Sequence, residues 1–169
     1  MKRTQHGRVL YLAQGAMVAA LYVALTYLAQ LLGLASGVVQ LRVSEALTVL
    51  PIFTPAAVPG LFVGCLLANA LTGCAVWDVI AGSLATLLGA LGTRWLRKRP
   101  VVCLLPPILA NTVTVPFVLA YVYRAEGTIP YFMLTVGAGE ILSCGVLGWL
   151  LRAALQRYGQ SIPWAVDRG

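Results

Sequence analysis

Long uncharged apolar stretches are the feature that most constrains the fold of this chain. The first of them, from Val9 to Leu34, contains no Asp, Glu, Lys or Arg. Only 10% of the 169 residues are charged, whereas soluble globular domains usually carry about 25% charged residues. A mean hydropathy of +0.87 leaves little polar surface to present to water, and disordered segments are poor in apolar residues. The sequence therefore predicts an integral membrane protein.

Six apolar segments follow one another, which predicts an all-α membrane protein with a bundle of about six transmembrane helices. Because a span needs about 20 mostly apolar residues, six helices with short loops nearly fill the chain. The second and third segments, on either side of Pro55 and Pro59, are shorter and form either two short spans or a re-entrant hairpin. Adjacent Pro106 and Pro107 predict a kink or a frayed start in the fifth segment. The expected organisation is a basic leader, a transmembrane domain and a polar tail, over residues 1–8, 9–156 and 157–169.

The basic residues fall mainly on one side of this six-span arrangement. Ten of the twelve Lys and Arg residues lie in the leader, after the fourth segment, or at and beyond the end of the sixth, and Arg42 and Arg124 lie opposite. Cytoplasmic loops are enriched in Lys and Arg, so we expect a multi-pass protein of the cell membrane with both termini in the cytoplasm. The net charge of +7 then reflects topology and contact with lipid headgroups. No basic face with interleaved aromatic residues is present, so a nucleic-acid partner is not expected.

The residue patterns that most enzymes need are absent from the sequence. The sole histidine, His6, lies in the leader, where it cannot form a nucleophile–base pair at membrane depth. There is no G-x-x-x-x-G-K-[ST] phosphate loop, so the chain is not expected to hydrolyse ATP by that route. The four cysteines form no CxxC pair and no cluster with histidine, so no metal site or cofactor is expected. We therefore do not expect an enzyme.

Polar and ionisable residues inside membrane spans are costly, and by default they indicate a functional site. Several map to the outer rim of the predicted bundle, and together with nearby aromatic residues they describe a ligand pocket that opens to the outside. The candidates at this rim are Gln40, Arg42, Glu45, Asn69, Trp77 and Asp78. Glu140 lies deeper, about 15 Å into the sixth helix at 1.5 Å per residue. It is either a further ligand contact or a structural partner of Asn111 or Thr114.

Helix capping is an alternative role for two of the rim acids. Ser44 could be an N-cap with Glu45 as the first-turn acid of the second helix, since the helix dipole favours acids there. Asp78 could in the same way cap the fourth helix. The sequence leaves the capping and ligand-binding interpretations open.

Small residues recur every four positions on three of the predicted helices. Such ridges allow helices to approach closely within lipid. They occur at Ala16, Ala20 and Ala24, at Gly60, Gly64 and Ala68, and at Gly82, Thr86 and Ala90. Because there are three such ridges, most of them are expected to pack within the bundle, although one ridge could instead dock another membrane subunit.

Residues 40–47, QLRVSEAL, resemble the Q-x-R-[IV]-S-E-A-L segment of QueT-type proteins, the queuosine-precursor transporters. The resemblance continues through residues 51–55, 59–61 and 64–65, Asn69, Asp78, Gly82 and residues 85–87. It extends more loosely to Asn111 and to residues 139–140. It covers nearly all of the hydrophobic chain and is densest from residue 40 to residue 87.

This resemblance implies a substrate-binding S-component of an energy-coupling factor (ECF) transporter. Such a subunit has six helices and captures a vitamin-like molecule from outside, while a coupling membrane subunit and two ATPase subunits supply the energy. In this family the alanine ridge of the first helix docks the coupling subunit, and here that ridge falls on Ala16, Ala20 and Ala24. The resemblance therefore favours an intermolecular role for this ridge.

The ligands that the resemblance implies are 7-deazaguanine precursors of queuosine, or a salvaged form such as queuine. One carboxylate can accept the adjacent N–H donors of a guanine-like ring, and we expect Glu140 or Glu45 in this role and Asp78 in a secondary one. Asn69, Gln40 or Arg42 would donate to the ring carbonyl, and Trp77 or Tyr27 would stack on the ring. Residues 35–40 are expected to close over the bound ligand. A stand-alone secondary transporter or channel for a small polar solute is the alternative.

Overall fold

The structure of the protein is a computed structural model that describes residues 5–34 and 41–158. Within these ranges the chain folds into six α-helices and three other helical segments. The α-helices are α1 Gln5–Leu31, α2 Ala57–Leu71, α3 Val76–Trp95, α4 Leu105–Tyr121, α5 Ile129–Glu140 and α6 Gly148–Tyr158. The other segments are a 3-10 helix at Val43–Ile52, a 3-10 turn at Val102–Leu104 and a π-helix at Ile141–Leu147. The π-helix joins α5 directly to α6.

Four helical stretches in the described chain are long and apolar enough to cross a membrane. They are Gly7–Leu31, Val76–Trp95, Val102–Tyr121 and Ile129–Tyr158. The 3-10 helix has 10 residues and α2 has 15, so they extend about 20 Å and about 22 Å, less than the roughly 30 Å of a bilayer core. The expected all-α, membrane-embedded fold is confirmed. Six full spans and cytoplasmic termini remain predictions.

The 3-10 helix Val43–Ile52 lies at the centre of the bundle. Every residue from Ser44 to Val49 is buried, because α1, α2, α3, α6 and the π-helix pack around this segment. Arg94 of α3 donates from Nη1 to the backbone carbonyls of Pro51 and Ile52, at 3.1 and 3.3 Å. A 3-10 helix is rarely this long, since its hydrogen-bond geometry is poorer than that of an α-helix. Contacts with its surroundings therefore support the central segment.

The glycine ridge of α2 packs inside the bundle, against α1. A Cβ at Gly60 would lie 2.6 Å from the carbonyl oxygen of Gly15, and a Cβ at Gly64 would lie 2.8 Å from the Cβ of Tyr22. These separations leave no room for a methyl group. For this ridge, the prediction of packing within the bundle is confirmed.

The prolines of the fifth predicted segment stand at its beginning. The 3-10 turn Val102–Leu104 leads into α4, and Pro106 and Pro107 lie in the first turn, where a missing N–H leaves no helical bond unmade. Gly89 and Gly92 of α3 accommodate the two proline rings, since a Cβ at Gly92 would lie 2.5 Å from the Cβ of Pro106. The predicted irregular start is confirmed, and it allows α3 and α4 to pack closely.

Replacing Gly60 with alanine is expected to destabilise the protein by about 1–3 kcal/mol, because the added methyl group would press on the backbone of α1. Thermal unfolding of the purified protein in detergent, followed by tryptophan fluorescence, would measure the loss. Gly145→Ala is the matched control, since a Cβ there meets only ordinary contacts at 3.7 Å or more. Equal melting temperatures for the two variants would contradict this description of the interface between α1 and α2.

Candidate ligand-binding site

A cavity of about 400 Å³ opens at one end of the bundle, which we call the cavity end. The C-terminal parts of α1, α2 and α4 and the beginnings of the 3-10 helix and α3 form its walls. The volume lies within the roughly 300–1,000 Å³ range of small-molecule sites. Polar side chains line one part of it, namely Thr26, Arg42, Ser44, Asn69, Asp78 and Tyr123, while α4 supplies Val115, Val118 and Leu119 as an apolar wall.

Asp78 supplies the carboxylate of the cavity. It lies in the first turn of α3 and is only 7% exposed. Its Oδ2 accepts a 2.8 Å hydrogen bond from the hydroxyl of Tyr123, which also accepts a 3.1 Å bond from the N–H of Ala75. Burial and the hydrogen bond to Asp78 raise the pKa of Tyr123 to about 12, although the Ala75 N–H opposes the shift, so at neutral pH the hydroxyl remains a donor. Asp78 is a first-turn acid of α3, where the helix dipole favours a carboxylate, and the N-cap residue Ala75 makes no side-chain capping bond.

The guanidinium of Arg42 complements this carboxylate. Arg42 is half-buried, lines the cavity, and interacts electrostatically with both Asp78 and Glu45. The neighbouring Ser44 accepts a 2.9 Å hydrogen bond from Thr26 of α1 and does not cap a helix. The cavity therefore offers a cationic donor and an anionic acceptor to one ligand, and Asn69 adds an uncharged amide.

A second group of polar residues lies deeper in the bundle and comes from the central segment, α4, α5 and the π-helix. Glu45 is fully buried and accepts a hydrogen bond from the hydroxyl of Tyr22. Glu140 is 4% exposed, and its Oε1 accepts a 3.1 Å bond from Nδ2 of Asn111. The thiol of Cys144 donates to Oε2 of Glu140 at 3.2 Å. The structural partner that the sequence suggested for Glu140, Asn111, is thus present.

The ligand-binding residues predicted from the sequence fall into four groups according to where they lie. Arg42, Asn69 and Asp78 line the cavity, while Glu45 and Glu140 lie in the deeper group. The side chain of Trp77 is 69% exposed and is not among those that line the cavity. Gln40 and the predicted closing segment 35–40 lie outside the described residues.

Other residues of the site were not predicted. Tyr123 follows α4 by two residues and resembles any interfacial tyrosine in the sequence, so only the fold brings it to Asp78. Thr26 carries an ordinary hydroxyl group and belongs to no motif, and Ser44 lies within residues 40–47 but was considered only as a helix cap. Tyr27, a predicted stacking residue, donates from its hydroxyl to the carbonyl of Leu71 at 3.1 Å, at the cavity end of α2.

Comparison with known proteins identifies the family of the chain. The family model described as QueT transporter matches residues 12–157, which is most of the sequence. The chain belongs to the QueT transporter family. No curated protein and no solved structure matches it. This family is one of transporters and not of enzymes.

Proposed function

We propose that this QueT-family protein is the substrate-binding S-component of an ECF-type importer. In this proposal it captures a queuosine precursor, a 7-deazaguanine or queuine-like molecule, from outside the cell. The observation that carries the proposal is the cavity, which is the size of one small molecule and combines the polar side chains of Arg42, Asn69 and Asp78 with apolar side chains from α4. A planar, polar-edged ring needs both kinds of surface.

The proposed orientation places the cavity end outside. The positive-inside rule predicts cytoplasmic termini, and α1 leads from the N-terminal region to the cavity, where Ala29 and Gln30 contribute to the lining. A ligand would then enter directly from the external solution. Release on the other side requires a change in the position or conformation of the protein, which partner subunits would drive.

Among the three acids considered from the sequence, we propose that Asp78 reads the donor edge of the ring. Asp78 lines the cavity, whereas Glu45 and Glu140 lie below it. A carboxylate accepts the ring N–H and the exocyclic amine in parallel, and such charge-assisted bonds are about twice as strong as neutral ones. Arg42 or Asn69 would donate to the ring carbonyl.

The exposed ridge of α1 is proposed as the docking surface for the coupling subunit. Gly15, Val18, Ala19 and Tyr22 turn towards α2, while Ala16, Ala20 and Ala24 are exposed. Small side chains on an exposed face of a membrane helix permit close approach of another helix. Two ATPase subunits would bind the coupling subunit on the cytoplasmic side, since this chain carries no phosphate loop.

Uptake into vesicles distinguishes this proposal from a stand-alone transporter. Vesicles that contain this chain alone should accumulate no radiolabelled 7-deazaguanine under an ion gradient. Vesicles that also contain the coupling subunit and the two ATPases should accumulate it when ATP is supplied. Gradient-driven uptake by the chain alone would instead support a secondary transporter, with Glu140 as a candidate proton relay.

A further inference from the structure

The deeper polar group contains three side chains that together can hold a metal ion. One oxygen each of Glu45 and Glu140 and the Sγ of Cys144 lie within 4.8 Å of one another, and all three residues are buried. Glu45 belongs to the central 3-10 helix, whereas Glu140 ends α5 and Cys144 lies in the π-helix that follows. Sequence spacing predicts no metal site here, because Glu45 and Cys144 are 99 residues apart.

The π-helix brings two of these ligands together. Cys144 lies four residues after Glu140, and its Sγ is 3.2 Å from the Oε2 of Glu140. The same sulfur lies 3.5 Å from the backbone carbonyl of Glu45. Short π-helical segments within longer helices are rare and occur frequently at functional sites. Here the segment directs a thiol towards two carboxyl groups.

Unpartnered polar atoms point independently to a missing ligand in this group. Oε2 of Glu45 and Oδ1 of Asn111 are fully buried and have no hydrogen-bond partner among the described residues. Asn111 is 1% exposed, and the hydrogen bond from its Nδ2 to Glu140 places its amide beside this polar group. A buried acceptor without a donor costs about 1–3 kcal/mol. A cation bound by Glu45 would satisfy its Oε2.

The charges of the group favour a divalent ion. Arg42 interacts with both Glu45 and Glu140, but its single positive charge also interacts with Asp78 of the cavity. A metal ion would bind Cys144 as the thiolate and release its proton to solvent. Two carboxylates and a thiolate then carry more negative charge than Arg42 supplies, and a divalent cation offsets the excess. Zinc accepts both thiolate and carboxylate ligands.

We propose that Glu45, Glu140 and Cys144 form a binding site for a divalent metal ion of the zinc class. The site lies apart from Asp78, which the proposed function assigns to the transported molecule, so the two sites can be tested separately. A bound ion would connect the central segment to α5 and the π-helix. It would stabilise the packing of these segments beneath the cavity.

Cobalt(II) is the probe for this site, because a cobalt–thiolate bond gives a charge-transfer absorption in the near ultraviolet. The full-length protein, purified in detergent and treated with chelator, should bind one Co²⁺ per chain with this absorption, and Zn²⁺ should displace it. Cys144→Ser should abolish the absorption, and Glu140→Gln should weaken Co²⁺ binding at least tenfold. Cys74→Ser and Cys103→Ser are the matched controls, since neither cysteine belongs to the group, and both should leave the absorption intact.

Several results would overturn the proposal. They are an absence of saturable Co²⁺ binding, a spectrum without thiolate absorption, or an absorption that Cys144→Ser leaves unchanged. Melting temperatures measured without metal would show whether the Cys144→Ser and Glu140→Gln proteins are folded. Because Glu140→Gln leaves the Cys144 thiol in place, it tests the carboxylate ligand separately from the thiol. A Glu140→Gln protein that binds Co²⁺ normally but no longer binds a 7-deazaguanine would assign the acids to the transported molecule instead. Loss of 7-deazaguanine binding by the unaltered protein would overturn the proposed function alone.

Discussion

Replacing Asp78 with asparagine is expected to lower the affinity for a 7-deazaguanine about 100-fold or more. Asparagine has nearly the same shape, but it replaces one acceptor oxygen with a donor that faces the donor edge of the ring. The ligand then loses a charge-assisted bond and keeps an unpaired N–H in a buried place, for a combined cost of about 3 kcal/mol or more. Each 1.4 kcal/mol is a factor of about ten in the dissociation constant. Isothermal titration calorimetry on the purified protein would measure the change.

Glu126→Gln is the matched control for this substitution. Glu126 is an exposed acid in the turn between α4 and α5, so removing its charge tests whether net charge alone affects binding. We expect an affinity within about twofold of the unaltered protein, because Glu126 does not line the cavity and its exposed charge is screened by water and salt. An Asp78→Asn protein that binds as tightly as Glu126→Gln would contradict the assignment of Asp78.

Replacing Ala20 with leucine is expected to weaken assembly with the coupling subunit by about 10- to 100-fold. Ala20 is the middle residue of the exposed ridge on α1, and a larger side chain there would separate two closely packed helices. Overpacking of this kind costs typically about 1–3 kcal/mol. Co-purification of the complex, or titration of the coupling subunit in nanodiscs, would measure the loss. The affinity for the 7-deazaguanine should remain unchanged, because Ala20 does not line the cavity.

Ala138→Leu is the control for the docking surface. Ala138 is also an exposed alanine, but it lies on α5, which packs against α4. It therefore tests whether any enlarged side chain on the membrane-facing surface disturbs assembly. Equal loss of assembly for both variants, or loss of ligand binding together with assembly in Ala20→Leu, would argue against a docking role for the ridge.

The parts of the fold that the sequence predicted are those that depend on local chemistry. Apolar length predicts helices, and proline at a helix start predicts an irregular first turn, as Pro106 and Pro107 show. The ridge at Gly60 and Gly64 was also predicted as a packing surface, because glycine inside a membrane helix leaves space for a neighbour. In each case the residues that determine the structure are close in sequence.

The parts that were not predicted depend on contacts between distant segments. The central segment is a 3-10 helix within the enclosure that its neighbouring elements provide, and its apolar pattern alone does not distinguish a 3-10 from an α-helix. The partner of Asp78, Tyr123, comes from a segment 45 residues away. Trp77 precedes Asp78 directly in the sequence, yet the helical rotation between neighbouring residues directs its side chain away from the cavity.

The three acids also show that the sequence alone does not predict contacts between distant segments. The sequence identified Glu45, Asp78 and Glu140 as unusual but could not order them, since each has a similar apolar surrounding. Three-dimensional proximity separates them, because Asp78 faces the cavity while Glu45 and Glu140 approach each other and Cys144. The fold thereby places one acid at the cavity and brings the other two together with Cys144.

Direct binding to the purified chain is the measurement that tests the central claim. The protein alone, in detergent or nanodiscs and without ATP, would be titrated with a 7-deazaguanine while adenine serves as the control ligand. We expect saturation at one molecule per chain, with adenine binding at least tenfold more weakly because it lacks the adjacent N–H and amine donors that Asp78 accepts. Absence of saturable binding, or equal affinity for the two ligands, would contradict the account of this protein as a receptor for queuosine precursors.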